Sequence, residues 1–316
     1  MIGIVILNYK NYQDTIACVN NISQQKMSSY SIYIVDNDSQ DLSYEKLVEK
    51  YTDQAQIKVL QSGKNGGYSF GNNVGFRAAI EDGCDFLLCT NNDVEFYPNC
   101  IVQLEKALID NPEVAVVGPK IYTKDGGLQK CNKAGLTPFR FLMHHNPFAK
   151  MDIFGVNKRY GMLDYNFDKP IIFEGMVSGC CFMIRSKVLQ DVGFLDEGVF
   201  LYHEEDILAA KLKKHGWKTM VEPAAEIIHY GSGTIGNISP FTRYCTFSSG
   251  LYYLWHYTSI GKCGMKFMRC WIVGMFRIMS LKNKDYKQYA EKIKDEVKQL
   301  TTSVKWSDHE QGCDII

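Results

Sequence analysis

Five short apolar runs rich in strand-forming residues alternate with helix-patterned stretches over the first 118 residues, and this alternation limits the possible folds more than any other feature. The runs are Ile2–Leu7, Ser31–Val35, Ile57–Leu60, Asp85–Thr90 and Val114–Val117. Their length and their aliphatic, β-branched content read as strands. The stretches near Asn11–Gln24, Leu42–Tyr51, Ser69–Asp82 and Pro98–Ile109 carry apolar residues at helical spacing, as in Tyr12, Ile16, Val19 and Ile22. Asn11 is placed to cap the first helix, and Pro98 suits the first turn of the last. The order predicts an α/β chain with a Rossmann-like, mainly parallel sheet flanked by helices. Ligands of such sheets bind beyond the carboxyl ends of the strands, so the residues following each run are the candidates for function.

The chain has 316 residues, enough for one large domain or a domain with an appendage. Lysine plus arginine and aspartate plus glutamate both number 35, so the formal net charge is zero and no nucleic-acid partner is implied. Ile2–Leu7 is too short for a signal peptide and lacks a basic leader. No apolar run approaches the roughly 18 residues of a membrane span; the longest candidate, Cys270 to Phe276, is bracketed by Arg269 and Arg277. The eleven cysteines form no C-x-x-C pair, and Cys84, Cys89, Cys180 and Cys181 read as packed thiols. A reducing cytoplasm is the expected location.

The pattern blurs between Thr123 and Pro170, where long loops are expected over the site. Order returns at Ile171–Arg185, then in a helix from about Glu204 to His215, then at Thr219–Val221 and Glu226–His229. These residues predict a main domain over 1–239, with a ligand-binding part to about 118 and a second part over 119–239. From 240 to 316 a helical appendage is expected. Between Glu226 and Asp285 no acidic residue occurs, yet Arg243, Lys262, Lys266, Arg269, Arg277, Lys282 and Lys284 do, among many aromatic residues. That profile fits a segment lying on an anionic membrane surface, and equally a packed appendage whose basic face is solvated.

Four local patterns can carry chemistry. Asp36-Asn37-Asp38-Ser39 follows the second strand and can contact a base or a ribose, or simply build an Asx turn. Asn65-Gly66-Gly67 through Asn73 leads into a helix whose amino terminus can face a diphosphate. It is neither a Walker loop nor a dinucleotide fingerprint. Asn91-Asn92-Asp93 ends the fourth strand, where its oxygens can hold a divalent cation or form an Asn-rich turn. Glu204-Glu205-Asp206 opens a helix after an aromatic lead-in, so these acids either complement the helix dipole or include a desolvated general base. His229 ends a short strand and is either structural or a metal ligand favouring a manganese-tolerant site. His144, His145 and His215 have no comparable setting and read as surface residues.

In order, these residues resemble the family 2 inverting glycosyltransferases with the GT-A fold, nearest to the rhamnosyltransferase-like branch that builds bacterial capsule, O-antigen or wall polysaccharide. The resemblance runs from about Ile4 to Gly233. It is carried by Val5-Ile6-Leu7-Asn8-Tyr9, Val35–Ser39, the glycine loop and Thr90–Asp93, then by Ser178-Gly179-Cys180, Gly193–Glu197, Glu204–Asp206, Gly216-Trp217, Pro223 and His229. It implies that Asn8, Asp36 and Asn37 line a nucleotide pocket, with Asn65, Gly66 and Asn73 near ribose and diphosphate. Asn91-Asn92-Asp93 takes the place of the family's Asp-x-Asp motif, so Asp93 and His229 are the implied ligands of Mn²⁺ or Mg²⁺. Glu205 is the implied catalytic base, with Glu204 and Asp206 as its alternatives.

The resemblance therefore implies transfer of a sugar from a nucleoside-diphosphate sugar, with deoxythymidine-diphosphate rhamnose or a uridine-diphosphate sugar as donor. The expected acceptor is a saccharide, on a lipid carrier if the basic tail docks at the inner face of the cell membrane. Two departures stand out: Asn91 replaces the motif's first aspartate, and Asp206 follows Glu205 directly. Asn91 leaves room for a catalytically inactive sugar-nucleotide-binding subunit. A sugar nucleotidyltransferase is the other alternative, although Asn8-Tyr9-Lys10 stands where its glycine-rich basic loop belongs.

Overall fold

The computed structural model describes residues 1–129, 132–145, 155, 158–159, 165, 167–231 and 239–305. Part of the loop stretch predicted before Pro170, residues 232–238 and the end of the predicted appendage lie outside the described residues. The first four strands, β1 (Ile2–Asn8), β2 (Tyr30–Asp36), β3 (Ile57–Gln61) and β4 (Phe86–Asn91), are parallel and stand in the order β3-β2-β1-β4. They are joined by α1 (Tyr12–Ile22), α2 (Ser43–Tyr51) and α3 (Tyr68–Glu81). The backbone amide of Asp14 donates to Asn11 Oδ1 at 3.5 Å, so Asn11 caps α1 as its position predicts.

α3 lies close on the sheet because it carries glycines where it crosses β1 and β2. A Cβ on Gly75 would sit 2.4 Å from Val5 and 3.0 Å from Val35, and one on Gly71 would sit 2.4 Å from Leu7. Helix propensity alone disfavours both glycines; close packing requires them.

Beyond β4 come β5 (Val94–Phe96), α4 (Cys100–Asp110), β6 (Val114–Thr123), β7 (Leu128–Gln129), β8 (Asn132–Ala134) and α5 (Pro138–His144). Pro98 lies in the turn before α4 rather than in its first helical turn, because Asn99 takes a left-handed conformation (φ 65°) and sets the helix start at Cys100. Next follow β9 (Ile171–Phe173), β10 (Gly175–Val177), β11 (Cys181–Arg185), α6 (Ser186–Asp191), α7 (Glu204–Lys214) and β12 (Lys218–His229). β11 enters antiparallel between β4 and β6, and the sheet continues β11-β6-β12-β5. The two predicted strands at Thr219–Val221 and Glu226–His229 are one strand, β12, with an irregularity between Glu222 and Glu226 where Pro223 cannot donate to the ladder.

Among the described residues the last elements are three helices, α8 (Pro240–Tyr257), α9 (Lys262–Ser280) and α10 (Tyr286–Leu300). No helix among the described residues is long and apolar enough to cross a membrane. Two cores result. The larger, around the sheet, is mostly aliphatic and includes Ile4, Ile6, Ile32, Ile34, Leu87 and Val117. The smaller joins Phe247, Tyr253, Trp255, Met265 and Phe276 of the terminal helices to Leu136, Phe141, Val199 and Ile207 of the preceding chain.

Candidate active site

Parallel register brings the functional candidates to one edge. Asn8 pairs with Asp36 and Leu7 with Asn91, so the ends of β1, β2 and β4 lie side by side. Asn8 Nδ2 donates to Asp36 Oδ2 at 2.7 Å, and Asn8 Oδ1 accepts from Thr15 Oγ1 at 2.8 Å. The other oxygen of Asp36 accepts from the Ser39 amide at 2.8 Å. Both side chains are fully buried and brace one another.

Asn37 continues the brace into the glycine loop. Its amide donates to Asn65 Oδ1 (3.1 Å) and to the Gly67 carbonyl (3.3 Å), while Asn65 Oδ1 also accepts from the Gly67 amide (3.2 Å). A Cβ on Gly66 would sit 2.5 Å from the Phe70 ring. Gly67 has φ +90°, and a Cβ there would lie 2.2 Å from the Phe200 carbonyl oxygen. No L side chain fits that combination. The Tyr68 amide donates to the same carbonyl at 3.0 Å, so the loop is docked on the turn leading to the acidic cluster.

Asn73, expected near ribose and diphosphate, is placed elsewhere. It is fully buried, donates to Leu195 O (2.9 Å) and Glu197 Oε1 (2.8 Å), and accepts from the Leu195 amide (3.2 Å). It is a strut between α3 and the 195–197 segment. Its amide is consumed by three internal bonds, which a motif position cannot reveal.

Of the triplet, Asn91 ends β4, and its backbone amide donates to Cys180 O at 2.8 Å. Asn92 turns back, its Nδ2 donating to Asn11 O and Thr15 Oγ1, both at 3.1 Å. Asp93 meets His229: β12 pairs antiparallel with β5, His229 lies opposite Val94, and Asp93 Oδ1 stands 3.4 Å from His229 Nε2. His229 Nδ1 faces Gln129 Oε1 at 3.2 Å, an orienting contact with no sequence signal. Burial is the largest single influence on His229 and opposes its charge, but Asp93 and Cys180 together outweigh it and lift the imidazole to about 10. A carboxylate oxygen and a ring nitrogen converging in this way suit a divalent cation, for which adjacent ligands stand about 3 Å apart. Among the described residues no third acidic, cysteine or histidine side chain completes a cluster, so the pair fits a cation that takes its remaining ligands from water and substrate phosphate. A cleft of about 560 Å³ opens beside Asn92 and Asp93, bordered by Asp14, Asn20, Asn21 and Tyr230.

The acidic cluster forms the first turn of α7. Its entry is bent by two successive non-glycine residues in the left-handed region, Tyr202 (φ 70°) and His203 (φ 66°), which cost about 1–2 kcal/mol each. Glu205 Oε1 accepts from the Gly179 amide at 2.9 Å, and a Cβ on Gly179 would lie 2.5 Å from that oxygen. Only glycine lets the carboxylate approach so closely. Burial, reinforced by the Asp206 charge, raises the Glu205 pKa, and burial plus the Glu205 charge raises that of Glu204 well above the usual range. Asp206 Oδ2 stands 2.9 Å from His203 Nδ1.

Two consecutive residues connect the acid to the Asp93–His229 pair. Gly179 N–H holds Glu205, Gly179 O accepts from Tyr68 Oη at 2.5 Å, Cys180 O holds Asn91, and the Cys180 thiol contacts His229. Thus Asn8, Asp36, Asn37, Asn65, Gly66, Asn91, Asp93, Glu205 and His229 belong to one connected edge. Gly179 and His203 had no assigned role in the sequence. His145, expected at the surface, packs against the rings of Phe141 (4.6 Å), Phe247 (5.2 Å) and His203 (6.3 Å), and burial pushes its pKa down to about 2.

The family profile described as glycosyl transferase family 2 matches residues 3–193. The chain belongs to this family. Among curated proteins, it is 27% identical over 219 residues to the N-acetylglucosaminyl-diphospho-decaprenol L-rhamnosyltransferase of Mycobacterium tuberculosis, covering 65% of this chain and 68% of that protein. It is 24% identical over 211 residues to the low-salt glycan biosynthesis hexosyltransferase Agl10 of Haloferax volcanii, covering 65% and 59%. Among solved structures, the mannosyltransferase PcManGT of Pyrobaculum calidifontis, in complex with GDP-Man and Mn²⁺, aligns over 95% of this chain and 86% of its own. The TM-score is 0.54 and the identity 11%. GalNAc-T7 with UDP, GalNAc and Mn²⁺ aligns over 93% and 55%, with TM-score 0.58 and 14% identity. The fold of this glycosyltransferase is GT-A.

Proposed function

We propose that this glycosyltransferase is inverting and metal-dependent, moving a sugar from a nucleoside-diphosphate sugar to a saccharide acceptor during bacterial capsule, O-antigen or wall polysaccharide synthesis. Deoxythymidine-diphosphate rhamnose is the favoured donor and a uridine-diphosphate sugar the alternative. The name of the mycobacterial relative, a rhamnosyltransferase acting on a lipid diphosphate-linked sugar, supports both the donor and a lipid-linked acceptor. The observation that carries the reading is the desolvated Glu205 carboxylate, fixed by the Gly179 amide one residue from the segment that braces Asn91 and His229.

Glu205 accepts the proton of an acceptor hydroxyl as that oxygen attacks the anomeric carbon, and the carbon–oxygen bond to the diphosphate breaks on the opposite face. One displacement inverts the configuration. Asp93 and His229 would hold Mn²⁺ or Mg²⁺, which when bound offsets negative charge on the departing diphosphate. Asn8, Asp36, Asn37, Asn65 and Gly66 shape the nucleotide side. The saccharide side is served by a cavity of about 450 Å³ where Phe200, Tyr244 and Tyr252 stand beside Ser248 and Glu296. Aromatic faces with hydroxyl and carboxylate partners suit a sugar.

We also place the terminal helices against an anionic membrane on the cytoplasmic side. Phe267 and Ile278 are 56% and 69% exposed and lie at helical spacing with Cys270 on α9, continued by the 86% exposed Leu281 at its C-cap and flanked by the exposed Lys262, Lys266 and Arg277. An apolar stripe edged by basic residues is what an interfacial helix presents. The main domain at 1–239 and the helical unit at 240–316 remain our division of the chain.

The test is nucleoside diphosphate release from a panel of nucleotide sugars with Mn²⁺ or Mg²⁺. One donor should be turned over only with metal, and Glu205→Gln should lose about 10²–10⁴ in rate, some 3–5 kcal/mol of barrier, with donor affinity retained. Equal turnover by the variant removes Glu205 from the role. Donor binding without release from any sugar favours the inactive-subunit reading, to which Asn91 points. The nucleotidyltransferase alternative gives way to family membership.

A further inference from the structure

α8 presents Ser249, Gly250 and Tyr253 to the bent turn before the acidic cluster. Ser249 Oγ donates to Leu201 O at 2.7 Å. A Cβ on Gly250 would sit 3.1 Å from His203 Nε2 and 2.3 Å from the Phe141 ring, so α8 is hollowed where His203 lies. The Tyr253 ring stacks on the His203 ring at 6.5 Å and 21°. His203 is 9% exposed, its Nδ1 faces Asp206 Oδ2 at 2.9 Å, and its Nε2 is buried without a hydrogen-bond partner among the described residues. A histidine in this setting contributes one directed bond, to the residue next to Glu205, from a backbone conformation that few residues adopt.

We propose that His203 is a positioning residue for the reaction: clamped by α8, it holds Asp206 and so fixes the first turn of α7 that presents Glu205. Asp206 is held away from Glu205 by this bond, and Gly179 then receives the Glu205 carboxylate alone. The terminal helices thereby form part of the catalytic apparatus. The inference rests on Glu205 as the base.

Three variants separate ring from backbone. His203→Ala removes the donor and the left-handed tolerance, and His203→Gly removes the donor only. His203→Asn keeps a nitrogen donor near the Nδ1 position and tolerates the left-handed region. With wild type and Glu205→Gln alongside, kcat and KM for donor turnover are measured. Both His203→Ala and His203→Gly should lose kcat by up to about 10²-fold with donor KM within about twofold, and His203→Asn should recover most of it. Amide hydrogen exchange should show residues 204–207 opening faster in His203→Gly while α8 stays protected. That second readout does not depend on activity, so it tests the positioning even if Glu205→Gln overturns the base assignment. Unchanged kcat and exchange in His203→Gly, or a His203→Asn no better than His203→Gly, overturns the inference.

Discussion

The sheet and the terminal helices are built on opposite plans. Around the sheet, aliphatic side chains such as Ile4, Ile34 and Leu87 pack densely, and polar chemistry is confined to the strand ends. In the helical unit, the rings of Phe247, Tyr253, Trp255 and Phe276 pack among aliphatic side chains such as Leu251, Leu254 and Ile272, and hydroxyls are tied across it: Tyr253 Oη donates to Leu136 O at 2.9 Å and Ser248 Oγ to Glu296 at 2.8 Å. The sheet brings Asn8, Asp36 and Asn91 to one edge by register. The helices act by contact, holding the turn at Leu201–His203, whose left-handed residues are intrinsically unfavourable. One region of a fold can therefore set side chains side by side while another holds a strained turn beside them.

The strongest challenge to this contrast is removal of residues 240–316. Phe141, Val199 and Ile207 lose their cover, and so does the turn at Leu201. The shortened protein should lose donor turnover and melt well below the full chain, as calorimetry would show. A shortened protein with full turnover would reduce the helices to a detachable anchor. In the sheet, Gly75→Ala forces a methyl group to within 2.4 Å of Val5 and should destabilise by about 1–3 kcal/mol, read from denaturant unfolding, without changing donor KM. On α9, Lys266→Ala should weaken flotation with anionic vesicles by about 1 kcal/mol, roughly fivefold, and leave neutral vesicles unaffected.

The smallest expected effect is one of pH. Burial raises the pKa values of Glu204 and Glu205, which titrate as an interacting pair. Their protonated forms favour the fold, so the stability they contribute is fully present below the ordinary glutamate range and is lost as pH climbs through the raised values. Turnover runs the other way, because the base must be deprotonated. Melting temperature and kcat should have opposite slopes over that interval, and Glu205→Gln should flatten both.

Much of this was legible in the sequence, for definable reasons. The strand–helix alternation and the Asn11 cap rest on local pattern, and an ordered motif set singled out Asp93, Glu205 and His229, which the fold brings to one edge. What was hidden depends on long-range pairing. Nothing in Cys181–Arg185 says that it will run antiparallel between β4 and β6, yet that insertion carries Gly179 to Glu205 and Cys180 to Asn91. Asn73 looks like a ligand residue by position and is a strut by geometry. His203 stands three residues before Asp206, a spacing with meaning only once α8 encloses it.

The thiols give the chain a chemical clock of its own. Cys18, Cys89, Cys100 and Cys181 lie in the sheet core, where burial pushes each pKa upward, to about 12 for Cys18 and Cys89. Cys263 and Cys270 are exposed on α9. An alkylating reagent should modify the helical pair at once and reach the core four only as fast as the sheet opens. Read peptide by peptide, the masses over time therefore record the opening rate of one region while the other serves as internal standard.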